Sequence, residues 1–224
     1  MMIQHHPDQF LLNDYAAACL PGAVALTVAV HLDYCSRCRE EVVQLNHLGG
    51  ELFGSLDPVP VAVDALARLL SSLDAEVSAP QAAAALIPGG ADGVRELPRV
   101  LQWLVPAGIE QLEWERSGRG IRTSRLRFGD PRREVALYHI RAGHRVPEHG
   151  HRGSEITVVL NGAFSDHEGC YREGDFLLRV ESDVHQPAVL PEADCLCLGV
   201  LEAPIRLSGL IGRLANPFLR LQPR

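Results

Sequence analysis

Near the amino end, His31, Cys35 and Cys38 form the pattern H-x3-C-x2-C. Side chains of these types at this spacing hold metal. On one continuous helix, positions i, i+4 and i+7 share a face. If the chain turns between two helices instead, C-x2-C still lets two thiolates reach one ion. Zn²⁺ takes four nitrogen or sulfur ligands in a tetrahedron, so a fourth is required. The near candidates are His5, His6, Cys19 and His47. His6 is preferred, with His5 second, because a histidine just before the first helix can fold over the third without disturbing the core. Four protein ligands leave no open coordination position, so this centre is expected to be structural rather than hydrolytic.

A second group lies far along the chain. His149 and His151 are two apart, as residues sharing one face of a strand are, and Glu155 keeps that facing if the strand is regular. His185 adds a third imidazole. Three His and one Glu suit Zn, Fe, Mn or Ni. Four-coordinate Zn would close the site and favour sensing or structure. An octahedral ion would leave positions open for O₂ or a substrate and favour an enzyme. Cys195 and Cys197 form C-x-C on an expected strand and face one side, near the metal or in the core. They are candidate redox thiols, although free cysteine is more often a packing residue.

The elements that must carry these residues divide the chain in two. Residues 8–18, 23–32 and 36–56 suit three helices, the third amphipathic through Val42, Leu45, Leu48 and Leu52 but weakened by Gly49-Gly50. A fourth, over VDALARLLSSLDAEV, places Leu66, Leu69, Leu70 and Leu73 on one face. Residues 79–96 are rich in Ala, Pro and Gly without a sustained period, which reads as a linker. From residue 97 the pattern is short and strand-like: TSRLRF, EVALYHI, EITVVL, DFLLRV, CLCLGV and PIRLSG stand between Gly, Asp and Pro turns. Many short strands at close spacing indicate a sandwich or barrel. Trp103, Trp114 and Phe128 are expected in the barrel core or a domain contact.

Charge and cysteine usage bound the function. Residues 1–78 carry ten Asp/Glu against three Arg, and residues 79–224 carry eighteen of each, so the formal charge of −7 resides in the first third. Such a domain repels nucleic acid and favours a basic protein partner. The uncharged run Tyr15 to Leu32 is broken by Pro21-Gly22 and rich in Ala, so no membrane span is expected. No basic-then-apolar leader is visible, which points to a reducing cytoplasm with no disulfides.

The H-x3-C-x2-C segment, with His6 in place of an extra N-terminal ligand, resembles the zinc-binding anti-sigma family over about residues 1–78. That resemblance implies a small helical bundle that grips an extracytoplasmic-function sigma factor. Residues 143–162 resemble the first cupin motif: Gly143, five residues, His149, one, His151, three, Glu155, six, Gly162. The second motif is partial. Gly174 and His185 have the right separation, but Val180, Ser182 and Val189 stand where Pro, Gly and Asn are usual.

Both halves in this order are similar to the ChrR family along nearly the whole chain. The resemblance implies a multidomain α plus all-β protein: a zinc-binding helical bundle at 1–78, a linker at 79–96, and a cupin double-stranded β-helix at 97–224. It further implies zinc on His149, His151, Glu155 and His185, and a cytoplasmic one-to-one complex with a group IV sigma factor. Release in response to singlet oxygen or related oxidants belongs to the same expectation. The competing reading is a metal-dependent cupin dioxygenase or isomerase with a helical zinc-binding appendage.

Overall fold

The computed structural model describes residues 3–74, 86–87, 95–181, 183–208, 221 and 223. Four helices come first: α1 (Gln9–Ala16), α2 (Gly22–Tyr34), α3 (Ser36–Gly54) and α4 (Ala65–Asp74). The Asp8 carboxylate caps α1 by accepting from the Leu11 amide at 2.8 Å, satisfying one of the free donors of the first turn. Pro21 turns the chain into α2. α2 is apolar on all sides and buries Ala23, Val24, Leu26, Thr27, Val28, Val30 and His31, as a helix covered on several faces must. α3 runs through Gly49-Gly50 without a break.

Of the stretch expected as a linker, the described residues form a small antiparallel ladder, β1 (Leu86–Ile87) with β2 (Arg95–Glu96). Residues 99–104 were expected among strand-like segments but form a helix, α5 (Arg99–Leu104), followed by a 3-10 turn at Ile109–Gln111. Pro98 presets the entry of α5 and the Asp33 carboxylate accepts from the Arg99 amide at 2.6 Å. α5 therefore belongs to the helical layer around α2, to which it packs.

The remaining strands are β3 (Glu115–Gly118), β4 (Ile121–Arg125), β5 (Glu134–Ile140), β6 (His149–Gly150), β7 (Glu155–Asn161) and β8 (Ala163–Ser165). They continue as β9 (Cys170–Arg172), β10 (Phe176–Arg179), β11 (Val184–His185), β12 (Ala188–Val189), β13 (Cys195–Leu201) and β14 (Arg206–Leu207). A six-stranded sheet, ordered β10-β7-β13-β5-β4-β3, faces two three-stranded sheets, β11-β6-β14 and β12-β8-β9. Every pairing is antiparallel, giving a barrel of the expected kind.

The period of two sorts the large sheet into two cores. Val135, Leu137, Ile156, Val158, Leu198 and Val200 point outward and join α1, α2, α3 and α5 in one continuous apolar cluster. Ile140, Val159, Leu177, Cys195 and Cys197 point inward and fill the barrel. Tyr34 of α2 donates from its hydroxyl to the Leu160 carbonyl at 3.1 Å, fixing the helix on β7. The helical module and the barrel thus share a core. Trp103 departs from its expected place: it is 62% exposed on the outer side of α5. Trp114 is partly buried against the shared core and donates from Nε1 to the Ile109 carbonyl.

Candidate metal centres

The amino-terminal ligand set is built at the α2–α3 junction. His31 ends the buried face of α2; Cys35 is at once the last cap of α2 and the first cap of α3; Cys38 lies in the first turn of α3. The chain turns at Cys35, so the two-helix alternative applies rather than one continuous helix. His6 arrives from the segment before α1. Its Nδ1 stands 3.4 Å from the Sγ of Cys35 and 3.4 Å from that of Cys38, and His31 Nε2 is 3.4 Å from Cys38 Sγ. One ligand atom from each of the four lies within 4.8 Å of all the others. A tetrahedron with zinc's usual bond lengths separates N from S by about 3.5 Å. The other candidates go elsewhere: His5 packs on Tyr171, while Cys19 and His47 are exposed.

Burial pushes the Cys38 thiol up to about 12, helped by the neighbouring Cys35. The Cys38 sulfur would ligate as the thiolate, a form that a bound cation would stabilise. Burial also lowers His31 to about 4, so its imidazole is neutral and free to coordinate. The His31 Nδ1–H donates to the Gly174 carbonyl at 2.7 Å, which fixes the tautomer and aims Nε2 at Cys38.

The second set closes inside the barrel. His149 on β6 and His185 on β11 are direct cross-strand partners. His151 follows β6, and Glu155 begins β7 in the opposite sheet. The expectation that one regular strand carries both histidines and Glu155 is therefore corrected. The chain bends at 152–154, where the Ser154 hydroxyl donates to Glu202, and the carboxylate reaches the histidines from the other sheet. His151 Nδ1 is 3.2 Å and His149 Nε2 4.0 Å from Glu155 Oε2.

His149 donates from Nδ1 to the Pro147 carbonyl at 2.8 Å and His185 donates from Nδ1 to Asp166 at 3.1 Å. Both Nε2 atoms are then bare acceptors, yet they face each other at 3.0 Å. Two bare acceptors at that distance repel unless they share a proton or a metal cation. His151 Nε2 is also buried without a partner. Burial opposes ionisation of Glu155, but the hydrogen bond from His151 and the fields of the three histidines hold its carboxyl below the ordinary value. The residues fit a divalent ion.

Cys195 and Cys197 do face one side, with sulfurs 3.6 Å apart in the barrel interior. They do not join the ligand set. Among the described residues that set is His149, His151, Glu155 and His185, although the Glu155 charge does act on the Cys197 thiol. Hydrogen bonding to Cys195 and burial push the Cys197 thiol well up, so it is a packing group in this state and a poor nucleophile.

Asp166, Arg179 and Tyr171, which support His185, carried no signal in the sequence. Their roles follow from side-chain contacts among the β8–β9 turn, β9, the end of β10 and β11 that only the folded chain shows.

A ChrR cupin-like domain model matches residues 105–203. The anti-sigma-E factor ChrR of Cereibacter sphaeroides is 34% identical over 221 residues, covering 99% of this chain and all of that protein. The chain belongs to the ChrR family of anti-sigma factors. A crystal structure of Rhodobacter sphaeroides SigE in complex with the anti-sigma ChrR superposes with a TM-score of 0.74 at 32% identity, covering 89% of this chain and 99% of that one. Membership in the ChrR family makes this a regulatory protein and not an enzyme. Among the described residues of this ChrR-family chain, no helix is long and apolar enough to cross a membrane.

Proposed function

We propose that this chain binds an extracytoplasmic-function sigma factor one-to-one in the cytoplasm and holds it inactive until the barrel reports an oxidant such as singlet oxygen. The observation that carries the reading is α4. Leu66, Leu69, Leu70 and Leu73 are 52–71% exposed, and Leu52, Phe53, Leu56, Val59, Val61 and Val63, from the end of α3 up to α4, are exposed as well. Exposed apolar side chains in this number within one stretch of chain suit a docking surface. The acidic first third favours a basic one. The ChrR complex with SigE supports a sigma factor as that partner.

In this reading His6, His31, Cys35 and Cys38 hold Zn²⁺, which ties the segment before α1 to the α2–α3 junction and so presents the docking surface. His149, His151, Glu155 and His185 hold a second divalent ion, with zinc favoured, and Cys195 and Cys197 pack the barrel beside it. Thiolate ligands need reducing surroundings, which supports the cytoplasmic placement.

Co-expression with a candidate extracytoplasmic-function sigma factor tests the reading. The expected product is an equimolar complex carrying metal and inactive in transcription. Separate elution of the two chains would sink it. The sensing part is tested by His149→Ala in the full-length chain, which should keep binding but lose oxidant-induced release. Cutting off the barrel is a poorer test, because α2 shares its core with the sheet.

A further inference from the structure

Residues 3–7 lie as a strap across the turn between β9 and β10. The Gln4 and His5 amides both donate to Asp175 Oδ1, at 2.9 and 3.0 Å. The Phe176 amide donates back to the His5 carbonyl at 3.0 Å. The other Asp175 oxygen accepts from the Arg172 amide at 2.8 Å, which fixes the carboxylate within its own turn. The His5 ring packs on Tyr171 of β9 with centroids 4.6 Å apart. His6, the next residue, is thereby delivered to the two sulfurs.

The same turn holds the second imidazole. The Gly174 carbonyl accepts from His31 at 2.7 Å. Gly174 has φ +86°, and a Cβ there would lie 2.6 Å from Ile3 and 2.8 Å from Tyr34. Only glycine lets both the strap and α2 approach this turn so closely.

We propose that the β9–β10 turn of the barrel is a working part of the amino-terminal metal centre, with Asp175 as the positioning residue that places His6 and the Gly174 carbonyl orienting His31. The helical module supplies both thiolates, and the barrel decides where both imidazoles stand. A shift of this turn withdraws two of four ligands at once, which gives the barrel a direct hold on the docking module. The proposal rests on the metal-binding part of the reading above and not on its sigma-factor part.

The test uses the full chain loaded with Co²⁺ and no sigma factor. Absorption from thiolate-to-cobalt charge transfer reports this centre alone, since no cysteine belongs to the barrel set. Release to excess chelator is followed in the wild type, Asp175→Ala and Asp175→Asn. Loss of an outer-shell support should speed release about tenfold in Asp175→Ala while the chain remains folded by circular dichroism. Asp175→Asn keeps an oxygen for the two strap amides and should fall between the two. If Asp175→Ala fails to fold, His5→Ala is read in its place; it leaves all four ligands and Asp175 intact and should also release faster. Release at the wild-type rate in the variant read overturns the proposal. A wild-type chain that forms no thiolate-to-cobalt band overturns both the proposal and the metal reading.

Discussion

His185 donates from Nδ1 to Asp166 Oδ2 at 3.1 Å, and the same carboxylate oxygen accepts from Arg179 at 3.0 Å. Asp166 is almost sealed from solvent. Burial alone would raise its carboxyl, but amide, Arg179 and His185 hydrogen bonds hold it below the ordinary value. It therefore stays an anion that fixes the His185 tautomer and aims Nε2 at the barrel set. Asp166→Ala should weaken divalent metal binding in the barrel about 10- to 100-fold, read by competition with a chelating dye. Unchanged affinity would remove Asp166 from the centre.

The uncovered leucines of α4 predict a separation of binding from stability. Leu66→Asp with Leu70→Asp places charge on a strip that is already wet, so thermal stability should move by less than about 1 kcal/mol. Affinity for the sigma factor should fall more than about 30-fold, since central apolar anchors each carry about 2 kcal/mol or more. Calorimetric titration of the purified chains checks both.

Cys38→Ser removes a buried sulfur of the proposed zinc set and leaves the core geometry nearly intact. The chain should lose one bound metal and more than about 3 kcal/mol of stability, because structural zinc contributes folding free energy directly. Metal analysis beside a urea titration gives the answer. Full stability with only one bound metal would show that the centre does no structural work.

His31 makes acid sensitivity specific. Its folded value is about 4 against an ordinary 6.5, so between these limits the unfolded chain binds the extra proton. In the metal-stripped chain this contribution is full above about pH 6.5 and is lost as pH falls towards 4, about 3 kcal/mol in all. His31→Gln should flatten that part of the profile. A stripped wild type equally stable at pH 4.5 and 7 would contradict the assignment.

The shared core predicts one transition. With α2 packed on β7 and β13, the helical module and the barrel should unfold together in calorimetry. Two resolved transitions in the metal-loaded chain would show that the apolar contact is weaker than its burial implies.

Much of this was legible from residue order because it depends on neighbours. H-x3-C-x2-C marks a metal centre wherever helices lead into and out of it, and period-three-and-four leucines specify α4 whether or not anything covers them. The alternation in β5, β7 and β13 likewise marks strands with two faces. Composition could not say what lies beyond each face. His5 and His6 are adjacent and chemically alike; His6 meets the sulfurs because Asp175, about 170 residues away, grips the strap one step earlier. Glu155 joins the histidines across two sheets, not along one strand, and α5 leaves the barrel for the helical layer because α2 offers it an apolar face. Local spacing thus names the ligand types, whereas contacts between distant segments decide which residue reaches the ion, since only packing brings those segments within bonding distance.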